Sequence, residues 1–430
     1  MKLSLKYGRG VLDLAVPSKH VARHLAFNTQ TEFAGDAASM IENALGELEC
    51  DNFFSKIKDR VVGLLLADAT RERTFDAFLP GLAGKLHDAA GLKVFLCTGT
   101  HDPKAADNVA LANFVQERFR ELGIPAQVHV HDAQSPTLED VGVTSRGTHV
   151  AINADAMACD VFLVLANMKV HYFAGYSNPV KYYVPGLASY ETARGNHAHT
   201  MDERATFGRH PWHPNPGRRK NPLAEDMVEG FRMLIGDREH FAIAVVGSVE
   251  RPAWIGGGRT EEVAGRAMEV VDRVSGLEVR PSRFLVVSPG GHPHDESLYT
   301  SQRALELTRA AVNDGGEVLF LSECANGIGT QAARQNFFEP LRKPLTEVCK
   351  RPEGEYVLYS HKAYKFGLYL SGLAKVHMCS ALDPKDVEAI HIAPTTSAQA
   401  VLDEWVSKAG PDDAITFVDD AAKFALYGSV

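Results

Sequence analysis

Short runs of continuous apolar residues alternate along the chain with longer amphipathic stretches. RVVGLLLA (60–67), KVFLCTG (93–99), DVFLVLA (160–166) and FAIAVVG (241–247) are too short for buried helices and rich in Val, Leu and Phe. Such runs predict parallel strands covered on both faces. DPKAADNVALANFVQERFRELG (102–123) has helical spacing, with Asp102 placed to cap it, Pro103 in its first turn and Gly123 to end it. DVGVTSRGTHVAIN (140–153) predicts an antiparallel hairpin turning at Ser145-Arg146-Gly147.

A second set begins at RFLVVSPGG (283–291), followed by a helix over 296–313, a strand over 316–323, another at KVHMCSAL (375–382) and a helix over 396–410. The segment 250–282, containing Gly256-Gly257-Gly258, reads as a bridge between the sets. The pattern is that of an α/β protein: two α/β domains with mostly parallel sheets and an active-site cleft between them. The larger domain is expected over 1–275 and the smaller over 276–405, with the tail, 406–430, able to rejoin the first. A length of 430 residues suits two cores better than one.

Composition narrows the class little: 45% hydrophobic and 23% charged is ordinary for a globular protein. A net charge of -9 offers no basic excess for phosphates, so no nucleic-acid partner is expected. No apolar run reaches the length of a membrane span, and MKLSLKYGRG has charges where a signal peptide needs an apolar region, so a cytoplasmic protein without a membrane partner is expected. The six cysteines (Cys50, Cys97, Cys159, Cys324, Cys349 and Cys379) lack CxxC spacing and read as reduced, non-ligating residues.

Ligands of open α/β sheets bind beyond the carboxyl ends of the strands. After 60–67 the chain presents Asp68, Arg71 and Arg73; after 93–99, His101; after 160–166, Lys169 and His171. Each has a bland alternative: His101 as a helix cap, Asp68 and Arg71 as a surface ion pair, Lys181 as a lysine lying along aromatic surface. His197 and His199 would share one face of a strand, yet two histidines are too few for a closed zinc site. GRHPWHPNPGRRKN (208–221), with His210 and His213, reads as an extended surface or lid-like segment. Their convergence on one sheet edge favours acid/base work by histidines, carboxylate capture by an arginine and a nucleophilic or anchoring lysine.

TGTH, the run H-x-F-A-G-Y-S with a lysine ten residues after its histidine, and a further histidine sixteen residues on resemble the lactate racemase family, the nickel-pincer-nucleotide-dependent racemases and epimerases. DATR upstream and GGHPHDESLY downstream are similar to the same family's motifs. The resemblance implies a nickel-pincer nucleotide joined covalently through Lys181, with His197 completing nickel coordination. It also implies His101 and His171 as the acid/base pair, Arg71 as substrate-binding and Asp68 beside the cofactor. The reaction implied is racemisation or epimerisation of a 2-hydroxy acid by transient hydride transfer. The implied protein partners are the enzymes that build the cofactor.

DESLYTSQR departs from the lactate-acting pattern. After Tyr299, Thr300 stands where glutamine is expected and Arg303 where lysine is, while Asn178-Pro179 replaces a glycine pair. These changes point to Tyr299, Thr300 and Arg303 as substrate-binding residues for a hydroxy acid larger or more polar than lactate, malate-like or a sugar acid. The alternatives are a zinc hydrolase using 197–213, a non-catalytic nucleotide or hydroxy-acid binder on the same fold, and an NAD dehydrogenase, the last without any GxGxxG after a strand.

Overall fold

Seven strands build the sheet of one unit, Thr29–Val274, in the order Pro252–Arg259, Glu239–Gly247, Val161–His171, Val61–Ala67, Gly91–Cys97, Ala126–Val130, with Gly175–Ser177 pairing back onto Val161–His171. The four apolar runs read from the sequence are its central strands, pairing in parallel as their two-faced burial requires. Glu239–Gly247 pairs antiparallel with Pro252–Arg259 at one edge. The expected hairpin is present as Leu138–Val143 and His149–Asn153. The computed structural model describes residues 1–27, 36–351, 356–410 and 413–429; the side chains of 48–51, Cys50 among them, lie outside the described residues.

Two expectations for this unit are corrected. The helix after 91–97 spans Ala106–Glu121, with no side-chain cap at Ala105. Asp102 instead accepts from the Lys104 N–H at 2.8 Å, making a local turn that leaves His101 outside the helix. The 250–282 segment does carry the chain from one unit to the other, at Val274/Ser275, but as regular structure and not as a linker. Its glycines lie in the Pro252–Arg259 edge strand, where Gly256 passes so close to the Trp254 ring that a Cβ would meet it at 2.2 Å. The helix Thr260–Ser275 follows directly.

The other unit comprises Met1–Asn28 and Ser275–Val430. Its parallel sheet has six strands in the order Ala393–Thr395, Lys375–Cys379, Val312–Leu321, Ser282–Val287, Ile415–Val418, Val21–Leu25. The expected domain division thus differs at both ends of the chain. The tail supplies Ile415–Val418 between Ser282–Val287 and the N-terminal strand, and it does not return to the first sheet. Leu3, Leu5, Leu14 and Val16 of the N-terminal hairpin are buried with Phe284, Leu319 and Trp405, so the apolar face of 1–16 has its core here.

The helix expected over 296–313 is interrupted: Leu298–Ser301, Arg303–Thr308 and a last 3-10 turn, Arg309–Ala311. The next strand starts early, at Val312, because the register jumps between Ser282↔Val312 and Phe284↔Glu317, and Gly315 (φ 71°) absorbs the extra residues. Among the described residues no helix is long and apolar enough to cross a membrane.

Candidate active site

In the first sheet the chain runs outward in one direction from Val61–Ala67 through Gly91–Cys97 and Ala126–Val130. It then returns on the other side with Val161–His171 and Glu239–Gly247. The order therefore reverses between Val61–Ala67 and Val161–His171, where a crevice opens at the carboxyl ends. Asp68 and Arg71 follow the first of these strands and His171 closes the second, so the sequence-chosen residues flank the reversal.

Asp68 is buried, and its Oδ2 lies 2.5 Å from His101 Nδ1, while its Oδ1 accepts from the Thr70 hydroxyl at 2.7 Å. Burial alone would raise this carboxyl's pKa; the hydrogen bond and charge of His101, with Thr70 and Arg71, outweigh it and hold the group below the ordinary range. An ionised Asp68 accepts from Nδ1–H and leaves His101 Nε2 as the free position of a half-exposed imidazole. Asp68 was expected to bind cofactor. In the structure its two oxygens are hydrogen-bonded to His101 and Thr70. The Arg71 guanidinium acts on Asp68 and also on Lys181, linking the two halves of the cluster.

His171 Nδ1 accepts from the Ala174 N–H at 3.2 Å, and its Nε2 lies 3.0 Å from Lys181 Nζ. A neutral imidazole whose Nδ1 accepts must carry its proton on Nε2. Nε2–H then donates to the lysine, which requires a neutral amine. Burial, then Arg71 and Lys169, pull the Lys181 pKa down to about 7, which agrees with that tautomer.

The turn after His171 depends on Gly175 (φ 79°), where a Cβ would stand 1.9 Å from the Arg209 carbonyl oxygen; only glycine fits. Phe173 in the same turn meets His171 and His197 edge to face, with ring centroids 4.5 and 5.5 Å apart, and Lys181 Nζ lies 5.6 Å from its centroid. Sequence reasoning gave Phe173 no role, although it stands in the quoted motif.

His197 sits on the helix Tyr190–Ala198, with Nδ1 2.8 Å from the Ala193 carbonyl oxygen one turn back. Burial and the nearby Lys181 lower its pKa to about 4, so the ring is neutral, with Nδ1–H donating and Nε2 carrying the lone pair. His199 does not share its face, because the segment is helical and not a strand. It turns toward the buried Asp226, which also accepts from Thr144, Thr148 and Asn196. The 208–221 segment is likewise no surface strap: His210 and His213 are buried, and His213 and Arg218 both reach Asp272.

Among the described residues no group of three or more His, Cys, Asp or Glu side chains could hold a metal ion, so the zinc-hydrolase alternative lacks a ligand set. A neutral imidazole with a fixed tautomer can give one bond to nickel, and a neutral lysine amine can be acylated. His197 and Lys181 thus fit a metal held mainly by an organic cofactor.

The remaining predicted residues lie in the other unit. Tyr299 and Thr300 are on Leu298–Ser301 and Arg303 opens the next helix; Arg303 Nη2 is 3.1 Å from His294 Nδ1. The Thr300 hydroxyl accepts from Ser297 Oγ at 3.0 Å, a capping contact the sequence reading did not anticipate. Lys362, which that reading missed, donates to the Tyr299 carbonyl oxygen at 2.6 Å. Its signal was a lysine on the apolar face of the amphipathic run Ser360–Ser371, among His361, Ala363, Phe366 and Leu370.

The fold is that of a two-unit α/β protein whose first sheet carries His101, His171 and Lys181 on loops at the carboxyl side of its topological switch. The lactate racemase N-terminal domain matches residues 7–208 and the lactate racemase C-terminal domain residues 277–424. The chain belongs to the lactate racemase family. It is 23% identical over 346 residues to the lactate racemase of Thermoanaerobacterium thermosaccharolyticum, covering 78% of each chain. To the lactate racemase of Lactiplantibacillus plantarum it is 20% identical over 387 residues, covering 88% of each. The lactate racemase apoprotein structure from T. thermosaccharolyticum shares the fold with a TM-score of 0.81 at 21% identity, over 99% of this chain and 100% of that one. A Thermotoga maritima protein shares it with a TM-score of 0.63 at 15% identity, over 92% and 99%.

Proposed function

We propose that this chain racemises or epimerises a 2-hydroxy acid larger or more polar than lactate, using a nickel-pincer nucleotide held by Lys181 and His197. It is an isomerase of the hydroxy-acid racemase class. The observation that carries the mechanism is the pair of imidazoles held in different ways on one sheet edge, His101 by Asp68 and His171 beside Lys181. When bound, the nucleotide supplies a reversible acceptor for the hydride on the substrate's C2.

The chain's own residues do the rest. Arg71 pairs with the carboxylate next to the reacting carbon. His101 Nε2 takes the hydroxyl proton of one enantiomer, and the ionised Asp68 stabilises the imidazolium that forms. His171 performs the same transfer for the opposite hand, since the hydroxyl then lies toward the other side. The planar 2-keto acid between these transfers must stay in the site until it is reduced on its other face. Thr300, Arg303 and Tyr299 are assigned to the substrate's far end, with malate-like dicarboxylates first and sugar acids second. A cytoplasmic location and maturation by cofactor-building enzymes are parts of the same reading.

The test is intact mass of protein produced beside those enzymes, followed by chiral analysis of a panel of single-enantiomer 2-hydroxy acids. The expected result is an adduct lost in Lys181→Ala, one nickel per chain and interconversion of at least one substrate pair. An unmodified chain that binds zinc and interconverts nothing would overturn the proposal.

A further inference from the structure

The helix Pro222–Ile235 opens on Asn221, whose side chain is fully buried. Its Oδ1 accepts from the Ala224 N–H at 3.2 Å and so caps the helix. The amino end of the same amide reaches three other segments. Nδ2 lies 2.9 Å from the Phe173 carbonyl oxygen, 3.2 Å from that of Thr206 and 3.3 Å from that of Arg209. Carbonyls only accept and the helix N–H only donates, so these partners dictate which way the amide faces. Two N–H groups shared among three carbonyls join the turn after His171 to the 206–209 loop and to the helix.

The Phe173 carbonyl and the Ala174 N–H belong to one planar peptide group, in which they point in opposite directions. Asn221 holds the carbonyl, and the N–H donates to His171 Nδ1 at 3.2 Å. Amide and imidazole therefore grip the two ends of the same plane. Rotating that plane would withdraw the N–H from Nδ1 and release the ring to change tautomer. The buried 208–221 segment braces the turn on its far side. Tyr176, on the strand after the turn, donates to Asp272 Oδ1 at 2.7 Å, and His213 and Arg218 reach Oδ2 of the same carboxylate at 2.9 and 2.5 Å. The helix that carries His197 is held separately, because Asn196 Nδ2 donates to the Leu223 carbonyl oxygen at 3.1 Å and to Asp226 Oδ2 at 2.8 Å.

We propose that Asn221 is a positioning residue for His171: through the Phe173–Ala174 peptide it commits Nδ1 to the backbone and keeps Nε2 turned to Lys181. Asn221 touches neither ring nor amine, so any effect on them passes through that peptide. The consequence for turnover rests on the racemase reading; the tie itself rests on the contacts named here.

Asn221→Asp tests the tie, because a carboxylate keeps the helix cap but gives no N–H to the three carbonyls. Nitrogen–proton correlation NMR of histidine-labelled protein, in mildly alkaline buffer where imidazoles are neutral, reports which ring nitrogen carries the proton. His171→Gln identifies the signal. Wild type should show His171 as one tautomer, protonated on Nε2, and Asn221→Asp should show a mixture of both. In the cofactor-loaded enzyme Asn221→Asp should lower kcat by roughly ten- to hundredfold, as a small misplacement of a reacting group does, with KM changed less. In a His171→Ala background the same substitution should lower kcat no further, since its effect passes through that ring. The nickel-to-adduct ratio should stay at its wild-type value. Circular dichroism establishes folding, and Asn221→Ser, which also caps but is too short to reach the carbonyls, replaces the aspartate variant if that one is unfolded. An unchanged His171 tautomer in the folded variant, or an equal loss of kcat with and without His171, overturns the proposal. A changed tautomer in a chain whose wild type interconverts no 2-hydroxy acid supports the tie and overturns the racemase reading alone.

Discussion

The imidazole of His171 and the amine of Lys181 meet at 3.0 Å with the ring's other nitrogen already accepting a backbone N–H, so the lysine is the acceptor of the pair. With its pKa pulled down to about 7, a substantial share of Lys181 is the nucleophilic amine near neutral pH. Lys181→Arg should therefore fail as completely as Lys181→Ala. A guanidinium stays protonated, offers no lone pair to His171 and cannot be acylated. Intact mass of protein made beside the cofactor-building enzymes checks this: both variants should lack the adduct. An adduct of wild-type mass on the arginine variant would show that attachment lies elsewhere.

The His101 and Asp68 contact makes a separate prediction, because it concerns proton transfer and not cofactor attachment. His101→Ala should lower turnover by ~10²–10⁴-fold, the usual contribution of a general acid/base group. Asp68→Asn keeps the shape but can donate where the carboxylate accepted, which favours the wrong tautomer, and a loss of similar order is expected. Adduct mass and nickel content should stay normal in both. Loss of adduct in Asp68→Asn would instead restore the cofactor-binding role first expected for this residue.

His197 should behave in the opposite way. Its Nδ1–H is committed to Ala193, and Nε2 is the donor available to a metal. His197→Ala should keep the covalent adduct but lose nickel during dialysis, so the metal-to-adduct ratio falls. Full metal retention and full activity in that variant would remove His197 as the ligand.

The central strands and the loops that follow them were legible because a two-faced parallel strand leaves little freedom of interpretation: 61–67, 161–171 and 239–247 are apolar nearly throughout. What could not be read was set by long-range pairing. Nothing local in ITFV says that Ile415–Val418 slots beside Ser282–Val287, pairing with residues 131 positions earlier, or that Val21–Leu25 completes the same sheet. Likewise the prolines of 208–221 suggested a surface segment, and burial of His210 and His213 came from packing against Trp212, Tyr176 and Asp272. The candidate residues were reached through a motif, whereas the contact of Phe173 with His197 and that of Lys362 with Tyr299 join residues distant in sequence.

Lys362 also makes a prediction about stability that needs no substrate. Its pKa is about 7 in the folded chain against an ordinary 10.5, for burial first and Arg303 second. Between those values the unfolded chain binds more protons than the folded one, so stability rises with pH across that window. The cost of burying the charged amine is fully present below about pH 7 and gone above about 10.5. Lys362→Met removes that cost while keeping the length and the apolar stem. The variant should therefore be more stable than wild type at pH 7, on the order of 2 kcal/mol after local relaxation. The advantage should shrink steadily toward pH 10. Glu306 faces the same amine and will protonate more readily once it is gone, so the comparison belongs above pH 7, where that carboxyl weighs least. Urea midpoints of the two proteins at half-unit steps from pH 7 to 10 provide the measurement. A constant difference across that range would mean that Lys362 keeps its charge in the fold, and that packing alone distinguishes the two side chains.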